Sequence, residues 1–199
     1  MSSCYFAQYL LNTGFLEEDQ LLPLLYRAAD AVPGTALLAL SQGLMTAAQV
    51  ASVDCADDET FAVRAQERGL LTKSQLMNMH QAAPGRDVRF AQVLLDSQLM
   101  DYAQLEEAFH KCETAEPNPV TAAVHMVKIE EIGQDMAFYG EYVDAFFRSL
   151  LRFMDTDAVV LPENTLLHVA EETYAVSQRL SGDLNIAAGI MAEERVFLE

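Results

Sequence analysis

Apolar and polar positions recur in one order four times over the first half of the chain. Phe6-Ala7-Gln8, Leu10-Leu11, Gly14-Phe15-Leu16 and Gln20-Leu21 make the first copy. Gly43-Leu44-Met45 and Gln49-Val50 belong to the second, and Phe61-Ala62, Gly69-Leu70-Leu71 and Gln75-Leu76 to the third. Phe90-Ala91-Gln92, Leu94-Leu95, Gln98-Leu99-Met100 and Gln104-Leu105 make the fourth. The shared register predicts two tandem pairs of units, each burying its apolar face on a neighbour, as docking and ligand-sensing scaffolds do.

Each copy reads as helix, turn, helix. Gly14, Gly43 and Gly69 follow apolar helical stretches, where a left-handed residue ends a helix and glycine takes that conformation without steric cost. Gln98 departs from this rule. A cap then follows with glutamine three positions on, in Thr46 to Gln49, Thr72 to Gln75, Asp101 to Gln104 and Glu17 to Gln20. That spacing is a capping box, which satisfies the free N–H groups at the start of the second helix.

The pattern changes after Glu113. Pro117 and Pro119 with their acidic, polar flanks read as an exposed linker. Residues 122–132 are compatible with helix or strand. Phe138, Tyr142, Phe146, Leu150 and Phe153 then form one stripe beside Tyr139, Val143, Phe147, Leu151 and Met154, with charged residues opposite, which predicts a long amphipathic helix. Farther on, Tyr174, Val176 and Leu180 alternate with Thr173, Ser177 and Arg179. Ser181-Gly182-Asp183 forms a turn, and Leu184, Ile186, Ala188 and Ile190 alternate again, which predicts a β-hairpin. Glu193 to Leu198 reads as the start of a further helix, so the native protein is expected to continue past Glu199. The expected fold class is therefore α+β: an all-helical repeat domain of four helix-turn-helix units over residues 1–113, and a partial α/β domain over 122–199.

Composition narrows the partners. Twelve Lys and Arg against 30 Asp and Glu give a net charge of −18, which repels phosphate backbones and anionic lipid and favours a basic protein surface. Nucleic acid and membrane insertion are not expected, and with no signal peptide or spanning segment in the sequence a cytoplasmic location is. Cys4, Cys55 and Cys112 are odd in number and far apart, which suggests neither a disulfide framework nor a zinc cluster. His80, His110, His125 and His168 lack metal-ligand spacing. Glu130-Glu131 and Glu171-Glu172 are adjacent residues that point apart and read as solvated faces. Walker loops, dinucleotide fingerprints and nucleophile elbows are absent from the sequence, and no cofactor is expected.

The repeats resemble the N-terminal helical domains of type II secretion and type IV pilus assembly ATPases (MshEN-like domains). Arg89-Phe90-Ala91, Leu94-Leu95, Gln98, Leu99-Met100, Leu105, Phe109 and Cys112 occupy that family's register without a gap. Some of these domains bind cyclic di-GMP through the motif's Arg and glycines. Here the Arg position holds Tyr5, Gly34, Thr60 and Arg89, and the first Gly position holds Ala7, Ala36, Ala62 and Ala91. Arg89 is thus the one candidate ligand contact. The added Cβ atoms count against close approach of a nucleotide.

The second half is similar to the beginning of a chemotaxis phosphatase domain of the CheC/CheX class. Tyr142-Val143-Asp144-Ala145-Phe146-Phe147 through Phe153-Met154 matches its first long helix, and Ser177 to Met191 around Ser181-Gly182-Asp183 its strand pair. The resemblance implies recognition of a response regulator. Catalysis in that class uses Glu-x-x-Asn, and no Glu in this sequence has Asn three residues on. The expected function is a bacterial signalling or chemotaxis-related interaction module without catalytic residues of its own, docking a response regulator or similar partner. The alternatives are a phospho-aspartate phosphatase whose catalytic helix lies beyond Glu199, and a cyclic di-GMP sensor acting through Arg89. An incomplete sheet in the second half would also favour homodimer formation.

Overall fold

In a computed structural model, the structure describes residues 4–53, 55, 57–81, 83–126, 145, 148–149, 159–160, 173–180 and 186–193. Among the described residues, nine helices run through the repeat region and just past it: α1 (Phe6–Asn12), α2 (Glu18–Ala29), α3 (Thr35–Ser41), α4 (Ala47–Ser52), α5 (Asp58–Glu67), α6 (Lys73–Gln81), α7 (Arg86–Asp96), α8 (Tyr102–Glu113) and α9 (Pro119–Met126). Two compact units divide the chain, Met1–Glu163 and Asn164–Glu199.

Local chemistry sets the helix ends. Gly14, Gly43 and Gly69 sit at φ 69°, 67° and 70°, the left-handed residue that ends the first helix of each copy. Gln98 takes the same conformation at φ 56° with its Cβ in place. In copy 4 the Gln98 N–H donates to Leu95 O at 2.9 Å and the Leu99 N–H to Leu94 O at 2.9 Å, the same closure that Gly43 and Leu44 make on Leu40 and Ala39. The second helices open on the predicted caps. Thr46 Oγ1 accepts from the Gln49 N–H at 3.2 Å while the Thr46 N–H donates to Gln49 Oε1 at 2.8 Å. Asp101 and Gln104 exchange the same pair of bonds at 2.8 and 2.9 Å.

The copies do not stack in chain order. α2 packs on α7 and α1 on α7 and α8, so copy 1 lies against copy 4; α3 and α4 pack on α8, so copy 4 lies against copy 2. Copy 3 adds to the other side of copy 2, through α5 and α6 on α3. The spatial order is therefore 1, 4, 2, 3, unlike a solenoid, in which each repeat packs on its neighbours in sequence. One apolar cluster runs through all four copies and includes Phe6, Leu37, Phe61, Leu71, Phe90 and Leu105. The Phe6 and Phe109 rings stack at a centroid distance of 4.4 Å, joining the first helix of copy 1 to the second of copy 4. Helix α9 covers the remaining side of α1.

Side chains at two copy-to-copy junctions cap helices from a distance. Asp87, at the start of α7, accepts from the N–H groups of Cys4 and Phe6 at 3.0 and 3.2 Å and so closes the start of α1. Asp58, at the corresponding place in copy 3, accepts from the Thr35 N–H at 2.5 Å and from Thr35 Oγ1 at 2.8 Å, closing α3. A free helix N-terminus with its partial positive charge favours a carboxylate there.

The expected α+β class is corrected by the helical make-up of the described residues. The described residues are mostly helical, and the described part of the unit Met1–Glu163 consists of helices and their connections with no strand among them. In the second unit the backbone of Thr173–Leu180 runs antiparallel to Ile186–Glu193, from Thr173 opposite Glu193 to Leu180 opposite Ile186. Among the described residues this is a two-stranded sheet, which by itself does not constitute an α/β domain. The predicted amphipathic helix over 138–155 lies outside the described residues except for Ala145, Arg148 and Ser149, which are helical and exposed. The turn Ser181-Gly182-Asp183 also lies outside them.

Candidate functional site

Arg89, the residue singled out by the repeat motif, sits just inside the start of α7, where Gly85 is the N-cap. Its guanidinium Nη1 donates to the carbonyl of Ala29, the last residue of α2, at 3.1 Å. A cation at the C-terminal end of a helix is favoured by the unpaired carbonyls there. Arg89 Nε is buried without a hydrogen-bond partner. The arginine therefore ties copy 4 to copy 1, and an anion brought to it would compete with the Ala29 carbonyl. The corresponding positions Tyr5, Gly34 and Thr60 bring no second guanidinium to it.

A polar constellation that the sequence pattern did not single out as a site lies on α1. Gln8 is only 1 % exposed, so its amide must find partners inside the protein. Its Oε1 accepts from the Val160 N–H at 2.6 Å, and its Nε2 donates to the Val160 carbonyl at 3.2 Å. One side-chain amide thus pairs with both backbone groups of a single residue from a distant segment. Nε2 also donates to Asn12 Oδ1 at 2.9 Å, and Asn12 Nδ2 donates to the carbonyl of Pro119 at 2.7 Å. Asn12 orients Gln8 and anchors the start of α9 together.

Copy 4 carries the same device. Gln92 Oε1 accepts from the Gly34 N–H at 3.0 Å while its Nε2 donates to Asp96 Oδ1 at 2.8 Å. Gln8 with Asn12 and Gln92 with Asp96 are equivalent positions, each pair four residues apart on one helical face. The signal was visible as a glutamine shared by copies 1 and 4 alone, Leu37 and Val63 standing at that place in the other two. What it could not convey is the partner: Val160 for Gln8, and Gly34 at the entry to copy 2 for Gln92.

Thr35 of copy 2 meets Asp58 and His80 of copy 3. His80 Nε2 lies 3.4 Å from Thr35 Oγ1, and the hydroxyl donates to Asp58. The order of groups is wrong for nucleophilic catalysis, since the carboxylate rather than the imidazole takes the hydroxyl hydrogen bond and Thr35 is 1 % exposed. Thr35 stands where the other copies place Phe6, Phe61 and Phe90, and its hydroxyl is satisfied by the aspartate that caps α3. Among the described residues, no group of three or more His, Cys, Asp and Glu is placed to hold a metal ion. His168, Glu130-Glu131 and Glu171-Glu172 lie outside the described residues. Among those residues, too, no helix is long and apolar enough to cross a membrane. No protein-family model, curated protein or solved structure matches the chain.

Proposed function

We propose that this chain is a cytoplasmic bacterial signalling protein whose helical repeat domain is a protein-interaction module, docking a response regulator or a similar partner. The observation that carries this reading is the Gln8 amide, which is buried and holds both backbone groups of Val160 at 2.6 and 3.2 Å. A helix that recognises a chain by its backbone N–H and C=O can hold an extended segment largely irrespective of its side chains, as peptide-docking surfaces do. The charge of −18 directs the choice of partner toward basic surfaces and speeds encounter with them. The response regulator as partner rests on the resemblance of the second half to chemotaxis phosphatases. Arg89 is committed to the Ala29 carbonyl, which weighs against cyclic di-GMP.

Calorimetric titration of the purified chain with phosphorylated and unphosphorylated receiver domains tests the proposal. Saturable binding with the phospho-aspartate left intact supports an interaction module. Loss of phosphate in excess over the chain would replace it with the phosphatase reading, and absence of binding to any receiver domain would overturn the choice of partner. Heat on adding cyclic di-GMP, abolished by Arg89→Ala, would instead establish a nucleotide sensor. The backbone-holding role of Gln8 is tested by hydrogen exchange: Gln8→Ala should raise exchange at the Val160 amide by roughly tenfold, the loss of about one net hydrogen bond.

A further inference from the structure

Two of the three cysteines meet, although 108 residues separate them in sequence. Cys112, buried in the last turns of α8, directs its Sγ to the carbonyl oxygen of Cys4 at 2.9 Å. Cys4 lies just before α1 and is half-buried, whereas Cys112 is buried. The Cys4 backbone is held in place by Asp87 through its N–H at 3.0 Å and by Cys112 through its carbonyl. Both thiols are free, and the Cys112 side chain is hydrogen-bonded to the Cys4 backbone. Cys55, the third free thiol, lies in the connection between α4 and α5.

We propose that Cys4 and Cys112 are a reversible dithiol–disulfide site that links the first helix of copy 1 to the second helix of copy 4. The oxidant is a low-molecular-weight disulfide of the glutathione type. The Cys4 thiolate attacks one sulfur of that reagent, giving a mixed disulfide on Cys4 and releasing one reagent thiolate. Cys112, after losing its proton to solvent, attacks the Cys4 sulfur, and the second reagent thiolate leaves. The two protein thiols are oxidised by two electrons, the reagent disulfide is reduced to two thiols, and the two protons end on those thiols. A mixed disulfide on Cys4 is expected to be short-lived because the resolving Cys112 Sγ is held 2.9 Å from the Cys4 carbonyl oxygen.

The surroundings set the rate. The hydrogen bond with Cys112, burial, and the negative charges of Asp87 on α7 and Glu113 on α8 all push the Cys4 thiol above its ordinary range. Thiolate is therefore scarce at neutral pH, the first step is slow, and its rate rises as pH increases. The bond spans residues 4 to 112 and encloses all four copies, so it removes freedom chiefly from the unfolded chain.

The experiment uses the whole chain carrying Cys55→Ser, incubated folded with oxidised glutathione and followed by intact mass and peptide mapping. The expected product has lost two hydrogens, carries no adduct, and yields one cross-linked peptide joining Cys4 to Cys112. Its thermal midpoint should rise by roughly 5–15 °C and return on adding reductant. Adding Cys4→Ser should abolish the cross-link while leaving the midpoint of the reduced protein nearly unchanged. A persistent glutathione adduct on Cys4 beside an unreacted Cys112 would overturn the proposal, as would failure of the folded chain to react at alkaline pH.

Discussion

Helices α3 and α5 occupy the same place in the repeat and meet opposite environments. Thr35, Ala36, Leu37, Leu38, Ala39, Leu40 and Ser41 of α3 are all buried, whereas the aligned stretch of α5 buries Phe61 and Ala65 and leaves Val63 53 % exposed. Residue by residue, Leu37 corresponds to Val63, Leu38 to Arg64 and Leu40 to Gln66. The difference follows from the spatial order of the copies. α3 is packed by α5, α6, α7 and α8, while α5 has α3 as its main partner. A repeat motif thus fixes an element and its turn, and the position of that copy in the assembly decides which faces turn apolar.

The sharpest way to break this comparison is to truncate the aligned pair. Leu37→Ala removes a side chain that is 0 % exposed from the middle of the common core and should cost about 2–5 kcal/mol, enough to threaten folding. Val63→Ala, at the same repeat position, should change stability by no more than about 0.5 kcal/mol. Urea unfolding of the two variants provides the measurement. Comparable losses would mean that α5 is packed as fully as α3 and that the order 1, 4, 2, 3 is wrong.

A smaller effect tests how the two helices are joined. Asp58 belongs to α5 but closes the start of α3, so Asp58→Ala leaves the Thr35 N–H and hydroxyl without their carboxylate in a buried place. The cost should be about 1–2 kcal/mol, read as a lower denaturation midpoint with an unchanged m-value. Hydrogen exchange should also quicken at the α3 amides rather than in α5, where Asp58 itself resides. If the loss of protection were confined to α5, Asp58 would be acting on its own helix and not across the junction.

What could be read beforehand follows the same division between local and distant chemistry. The turns at Gly14, Gly43 and Gly69 and the caps Thr46 to Gln49 and Asp101 to Gln104 are settled within five residues, and the pattern of the chain displayed them. Asp58 and Asp87 act on helices 23 and 81 residues away, and nothing in their immediate sequence names those partners. Cys4 and Cys112 looked incidental for the same reason, since sequence separation hides a contact that the closing of copy 1 onto copy 4 creates. Arg89 was legible as the motif's arginine, whereas its engagement by the Ala29 carbonyl depends on how α2 crosses α7. The α+β expectation failed for a related reason: alternation in a segment indicates an extended backbone locally, whereas the described residues as a whole are mostly helical.

The smallest predicted effect addresses the part that the copies share. If all four copies have one local backbone and differ in surroundings alone, Gln98 pays a conformational cost that Gly43 and Gly69 avoid, because its φ of 56° brings a Cβ toward the following carbonyl. Its side chain is exposed, so replacing it removes no packing. Gln98→Gly should therefore stabilise the chain, by about 0.5–1 kcal/mol after allowing for the greater freedom of glycine in the unfolded state. Gly69→Ala should destabilise by a similar amount: the added Cβ meets no atom within 4 Å, but the φ of 70° penalises it. Opposite shifts of the urea midpoint in these two variants would establish the common backbone. A loss of stability in Gln98→Gly would mean that the Gln98 side chain makes a favourable contact peculiar to copy 4, and the four turns could no longer be treated as one structure in four settings.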